Sequence, residues 1–327
     1  MNQFQYVRPT EQTSAVKSFV KDANTQFIAG GTNLIDLMKM GVVTPDRLVD
    51  INRLPLKEIK KTTTGIHIGA LALNSQVAES SLILQHHPVL ALALNAGASP
   101  QLRNMATVGG NMLQRTRCGY FFDTSMPCNK RQPGSGCGAI EGINRMHAIF
   151  GASESCIAVH PSDMCVALAA LDATVTVLGL KGERRIPFAD FHRLPGDHPE
   201  HDNTLQKGEL ILAIDIPDAP ATKNVAYLKV RDRTSYAFAL VSVAAVLNIE
   251  GGIIKSARLA MGGVAHKPWR LHEAEKSLIG KPATLDNFKQ ASQIAMQGAK
   301  AYKYNQFKLK LGPNTIVQAL KTAAGVA

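Results

Sequence analysis

Cys118, Cys128 and Cys137 lie in one stretch, 114-QRTRCGYFFDTSMPCNKRQPGSGCGAIEG-142, and Cys156 follows downstream. The four are separated by nine, eight and eighteen residues. Thiolates this close in sequence can hold zinc, form disulfides or ligate an iron–sulfur cluster. Structural zinc normally uses a close pair such as C-x2-C, and none is present. Disulfides are disfavoured because the chain shows no export signal and its five cysteines are an odd count. A 4Fe–4S cluster needs four thiolates, which an irregular loop can supply. Glycine and proline beside these cysteines let the backbone turn and offer N–H groups to sulfur. The spacing is not a ferredoxin spacing. On spacing alone, a cluster and four unrelated thiols both stay open. Cys165 falls in an apolar helical pattern and reads as a buried core thiol.

Two glycine turns offer a second chemistry. In 29-AGGTNL-34 the glycines join an apolar strand to a helix. Backbone N–H groups of Gly30, Gly31, Thr32 and Asn33 would lie unpaired at that helix start, where an anion such as phosphate is favoured. A plain strand–turn–helix joint has the same sequence. The turn is neither a Walker loop nor G-x-G-x-x-G, which disfavours a standard Rossmann site. In 107-TVGGNML-113, Gly109 and Gly110 permit close approach to a ligand or a simple bulge.

The elements that position these residues fall into two textures. The first half alternates strands (FQYVRP, QFIAG, RLVDI, IHIGAL, LILAIDIP) with helices (TEQTSAVKSFVKDA, TNLIDLMKM, and helical material over 74–97). Residues 97–113 read as turn and loop around a short strand. HPSDMCVALAALDATVTVLG reads as a helix and then a strand, and Pro217 ends LILAIDIP. From about 224 the pattern becomes antiparallel strands with a turn at Glu250, Gly251 and Gly252. Helices around 270–279, 284–301 and 313–324 close the chain. No internal repeat is visible.

Composition bounds the function. The chain has 327 residues, 45% hydrophobic and 19% charged, with a net charge of +11. Such a length builds two or three cores. Residues 256–327 hold eleven Lys/Arg against three Asp/Glu. No aromatic interleaving or reader motif accompanies that charge, so nucleic acid is not expected. A solvated helical surface is the expected reading, with docking to an acidic subunit second. The longest apolar run, residues 237–249, is too short to span a bilayer. The N-terminus lacks an apolar h-region, so the chain is expected to fold in the cytoplasm.

The ordered motifs AGGTNL, QLRNMATVGGN, HPSDM, GELILAIDIP and YLKVRDRTSYAFALVSVA resemble the FAD-binding subunit of the xanthine dehydrogenase family of molybdenum hydroxylases. The resemblance spans essentially the whole chain. It is nearest to the FAD and iron–sulfur subunit of bacterial heterotrimeric, periplasmic-type aldehyde oxidoreductases. It implies an α+β protein. An FAD-binding domain of vanillyl-alcohol oxidase-like (PCMH-type) fold, residues 1–223, would comprise subdomains 1–55 and 56–223. An antiparallel-sheet-plus-helices domain, 224–327, would follow.

The same resemblance implies FAD contacts at Gln26, Phe27, Ile28, Ala29, Gly30, Gly31, Thr32, Asn33 and Leu34, which would wrap the pyrophosphate. Thr107, Gly110 and Asn111 would form a second flavin-contacting loop. Asp163 would serve the adenosine side, and Leu212 and Lys229 the flavin ring. A lysine at the pyrimidine end can stabilise negative charge on reduced flavin. Read without the resemblance, Asn111 is a turn residue, Asp163 a helix cap and Lys229 a surface lysine on a strand edge. His160, before Pro161, reads as structural.

Asn111 and Ser162 stand about fifty residues apart, where typical relatives need only a few. The insertion, about 114–156, is where the aldehyde oxidoreductase subgroup carries a 4Fe–4S cluster. Cys118, Cys128, Cys137 and Cys156 become its implied ligands, with His147 as the alternative. The implied activity is electron transfer. A molybdopterin-binding large subunit would oxidise an aldehyde or N-heterocycle. A small subunit with two 2Fe–2S clusters would pass electrons to FAD, and FAD to an external acceptor. Export with a signal-bearing partner would place the complex in the periplasm. Two rivals remain: a self-sufficient flavin oxidase of the related fold, and a cluster-stapled scaffold without flavin.

Overall fold

The structure, a computed structural model, describes residues 2–218 and 223–326. Met1, residues 219–222 and Ala327, at the edges of the expected domains, lie outside the described residues. The strands in chain order are β1 Gln5–Val7, β2 Thr25–Ile28, β3 Arg47–Asp50, β4 Ile59–Lys61, β5 Gly65–Gly69 and β6 Thr174–Gly179. They continue with β7 Gly182–Pro187, β8 Leu210–Pro217, β9 Asn224–Val230, β10 Val241–Glu250, β11 Ile253–Gly262 and β12 Trp269–Arg270. They form three sheets, ordered β1-β3-β2, β4-β5-β8-β6-β7 and β12-β11-β10-β9. The first is parallel, since helices cross between its strands. The other two are antiparallel throughout.

Side chains alternate faces along a strand, and β10 uses that period to serve two cores. Val241, Val243, Ala245 and Leu247 pack with Phe288, Ile316 and Leu320 of the closing helices. Ala244 and Val246 point the other way, into the core that holds Leu90, Val166 and Ile214. The C-terminal sheet is therefore a wall common to both halves. Each fully buried Leu, Ile or Phe in either core contributes about 1.5–3 kcal/mol of burial.

Several expectations are corrected. Residues 97–113 hold no strand; they form the helices Pro100–Arg103 and Val108–Met112. The single ladder contact there is an isolated bridge between Leu73 and Thr107. The last helix spans Lys308–Ala324 and so starts a turn before Pro313. Lys308 is fully buried and donates to the carbonyls of His147 (2.9 Å) and Gly263 (2.7 Å), which fixes that first turn. The preceding helix, Leu285–Ala295, stops short of 301. β4 and β7 went unread because both are charged edge strands. Among the described residues, no helix is long and apolar enough to cross a membrane.

Candidate functional site: a cleft beside a cysteine cavity

β2 delivers Gly30 directly against the helical 97–113 segment. A Cβ on Gly30 would lie 1.8 Å from the Met105 carbonyl oxygen, so only glycine lets the two turns touch. Gly31 has φ +71°, the left-handed region that glycine tolerates. The backbone N–H groups of Gly30, Gly31, Thr32 and Asn33 find no acceptor among the described residues. They face a cleft of about 1280 Å³, above the usual size of a small-molecule pocket. In the second turn, Thr107 Oγ1 accepts from the Gly110 N–H at 3.2 Å and caps the helix. Asn111 Oδ1 accepts from Ser162 Oγ at 2.7 Å and from Gln114 Nε2 at 2.6 Å. That joins the VGGN turn to the PSD segment across the insertion.

The next wall is a buried polar network. Lys229 Nζ lies 2.7 Å from Asp163 Oδ2, with side chains only 4% and 7% exposed. Lys229 also donates to the Ala96 carbonyl at 3.0 Å. Tyr227 donates its hydroxyl to Asp163 Oδ1 at 2.7 Å. Burial, and then the neighbouring Asp163 charge, hold that phenol well above its usual pKa. The cap of the Asp163–Ala170 helix is Ser162, which accepts from the Cys165 N–H at 3.2 Å, so Asp163 is free to face the cleft.

Gly30, Gly31, Thr32, Asn33, Gly110, Asn111, Asp163 and Lys229 line this cleft together. Gln26, Phe27, Ile28, Ala29, Leu34 and Thr107 do not line it. Phe27 packs on Phe19 with ring centroids 4.4 Å apart. Leu212 is buried on β8 with Val49 and Leu71 and does not line the cleft. Asp163 and Lys229, expected to serve opposite ends of the FAD, meet each other in the structure.

Sequence reasoning missed Arg117. Its guanidinium bonds Asn33 Oδ1 at 3.1 Å and Asp36 at 3.3 Å, and lies 5.1 Å from the Phe238 ring centre. It also missed Tyr227. Both act through partners far away in the chain. The one local hint was the position of Arg117 beside Cys118.

Cys118, Cys128, Cys137 and Cys156 line a second, small cavity. None of them forms a disulfide. Among the described residues, only His160, Cys165 and His192 bring three Cys, His, Asp or Glu ligand atoms within 4.8 Å of one another. Sulfurs around one tetrahedral zinc stand about 3.8 Å apart, from a Zn–S length near 2.3 Å. The four loop sulfurs are therefore spread too widely for a single ion. The N–H groups of Phe121 and Ile140 donate to the carbonyls of Cys118 (3.1 Å) and Cys137 (3.3 Å), which turns the backbone at each cysteine. A hydrogen bond from the Cys156 thiol to the Cys137 sulfur holds Cys137 down to about 6 and pushes Cys156 up. Burial pushes the Cys118 thiol up to about 11.

The loop is stapled in place. Arg131 donates to the carbonyls of Tyr120 (2.8 Å) and Phe121 (2.9 Å). Asp202 pairs with Arg115 at 2.7 Å and with buried Lys130 at 2.5 Å, and both cations hold its carboxyl low against burial. Thr116, Cys118, Tyr120 and His147 line both cavities, which thus share a wall. The buried His160, Cys165 and His192 group is a packing feature. The Met112 carbonyl faces Nε2 of His192 at 2.9 Å and of His160 at 3.3 Å.

Residues 2–219 match the FAD binding domain in molybdopterin dehydrogenase, and residues 226–306 match the CO dehydrogenase flavoprotein C-terminal domain. The chain belongs to the molybdenum hydroxylase family as an FAD-binding subunit. It is 47% identical to the aldehyde oxidoreductase FAD-binding subunit PaoB of Escherichia coli K12, over 100% of both chains. It is 31% identical to the glyceraldehyde dehydrogenase medium chain of Sulfolobus acidocaldarius, covering 90% of this chain and 88% of that one. Two solved structures share the fold, each with a TM-score of 0.78 and covering 99% of this chain and 98% of the other. They are carbon monoxide dehydrogenase from Hydrogenophaga pseudoflava (24% identical) and quinoline 2-oxidoreductase from Pseudomonas putida 86 (22% identical). As a family member the protein is an oxidoreductase subunit, and the PCMH-type FAD-binding fold is followed by the expected C-terminal sheet domain.

Proposed function

We propose that this FAD subunit also holds a 4Fe–4S cluster and transfers electrons within a three-subunit molybdenum-dependent aldehyde oxidoreductase. The observation that carries the proposal is the convergence of Cys118, Cys128, Cys137 and Cys156 on one cavity that shares a wall with the FAD cleft. The aldehyde assignment rests on the 47% identity to the E. coli subunit. A molybdopterin-binding large subunit and a small 2Fe–2S subunit complete the assembly, and an external acceptor drains it. Folding in the cytoplasm, with export only alongside a signal-bearing partner, belongs to the same reading. So do the divisions 1–223 and 224–327.

FAD supplies one- and two-electron chemistry when bound. This chain's residues hold it. The free N–H groups at Gly30, Gly31, Thr32 and Asn33 suit its pyrophosphate, because donors at a helix start favour an anion. Gly110 and Asn111 supply the second cleft loop. Asp163 and Lys229 present one charged pair to the ligand, at a single point of the cleft. The four cysteines supply the thiolates of the cluster.

The assembled enzyme should show flavin absorbance, and four irons more than the 2Fe–2S subunit accounts for. Cys128→Ser should reduce iron per complex. Unchanged iron in that variant would remove the ligand assignment, and a flavin-free preparation would remove the cleft assignment. Aldehyde-dependent flavin reduction without the molybdenum subunit would favour a self-sufficient oxidase instead.

A further inference from the structure

His147 stands between the two cavities. Its Nε2 lies 3.1 Å from the Cys118 sulfur. Its Nδ1 has no partner among the described residues, so the contact to sulfur is the one hydrogen bond of the ring. The backbone is gripped from the opposite side. Buried Asn305 and buried Lys308 donate to the His147 carbonyl at 3.1 and 2.9 Å. Those anchors come from the C-terminal end of the chain and fix the backbone that carries the ring. Cys118 is also special among the four ligands. It lines both cavities, whereas Cys128, Cys137 and Cys156 line only the small one. The cysteine that His147 touches is the one of the four that also lines the flavin cleft.

We propose that His147 is a positioning residue that sets the cluster's reduction potential at its flavin-facing edge, by donating Nε2–H to the Cys118 thiolate. The inference rests on the reading that the four cysteines hold a 4Fe–4S cluster. Hydrogen bonds to ligating sulfur are among the levers that set such potentials. The N–H dipole favours the oxidation level that puts more negative charge on the sulfur, which is the level one electron further reduced. His147 keeps its proton throughout; only an electron changes place. With four thiolates already present, His147 serves as a donor to a ligand and not as a ligand.

The test is a redox titration of the assembled enzyme, read by the low-temperature EPR signal that separates a 4Fe–4S cluster from 2Fe–2S clusters. His147→Phe should keep iron and FAD per complex and make reduction of this cluster roughly tenfold less favourable, a fall of about 59 mV for one electron. His147→Gln keeps an N–H donor and should recover most of the shift. Pulsed EPR on enzyme with isotopically labelled histidine should show a weak nitrogen coupling that the Phe variant lacks. An unchanged potential in an iron-replete Phe variant overturns the proposal. If the Phe variant loses iron, the Gln variant decides: the wild-type potential supports the proposal, and a loss of iron there too makes His147 a ligand or a structural support and overturns it. Absence of any four-iron signal from the unaltered enzyme would instead overturn the cluster reading, and the proposal with it.

Discussion

At the scale of single residues, the Asp163–Lys229 pair decides most about the cleft. Neither charge is in water, so each depends on the other. Removing one partner strands the other, a loss of about 3–5 kcal/mol for a buried pair. Lys229→Met should therefore destabilise the chain by that order and lower FAD per chain, checked by denaturant unfolding and flavin absorbance. The double variant with Asp163→Asn should be less damaged than Lys229→Met alone, because the stranded charge is gone. The family resemblance singled out both residues. It did not show that they meet, because Asp163 opens a helix in the first half and Lys229 sits on the edge strand of the last sheet. The same reason hid Tyr227 and Arg117, whose partners are 64 and 84 positions away.

At the scale of elements, the joint between the two glycine turns is the exposed point. Gly30→Ala would drive a methyl into the Met105 carbonyl, and neither backbone can yield without moving the cleft wall. FAD affinity should fall at least about tenfold, or 1.4 kcal/mol, read by flavin retention on dilution. Glycine turns of this kind are legible in a sequence, because one residue type meets the need. Strands with apolar runs, such as β8 and β10, were legible for a similar reason. The VGGN helix was not, since two glycines argue against a helix locally. Its turn is held instead by the Thr107 cap and by the bond from the Gly109 N–H to the Ala70 carbonyl at 2.8 Å. The early start of the last helix was hidden likewise, because a fully buried lysine is unforeseeable without its two carbonyl partners. The cysteine loop showed its thiols by type but not its fold, since Arg115, Lys130 and Asp202 assemble across 87 positions.

At the scale of the whole molecule, acid is the expected weakness. Burial holds His192 down to about 4 and His266 to about 3, so both stay neutral in the folded chain near neutral pH. An unfolded imidazole takes up a proton near 6.5. Between those values the unfolded chain binds more protons, so stability falls as pH drops from about 6.5 toward 4. The slope is up to about 1.4 kcal/mol per pH unit for each histidine. His266→Leu should flatten it in unfolding titrations, since both ring nitrogens lack partners among the described residues and nothing is orphaned. The wall made by β10 reaches further. Its residues face one core at odd positions and the other at even positions, so neither half owns it. Such a protein cannot be shuffled like beads on a string. A C-terminal half grafted from a distant relative would bring a strand shaped for another neighbour, and the misfit would appear in the half that was never exchanged.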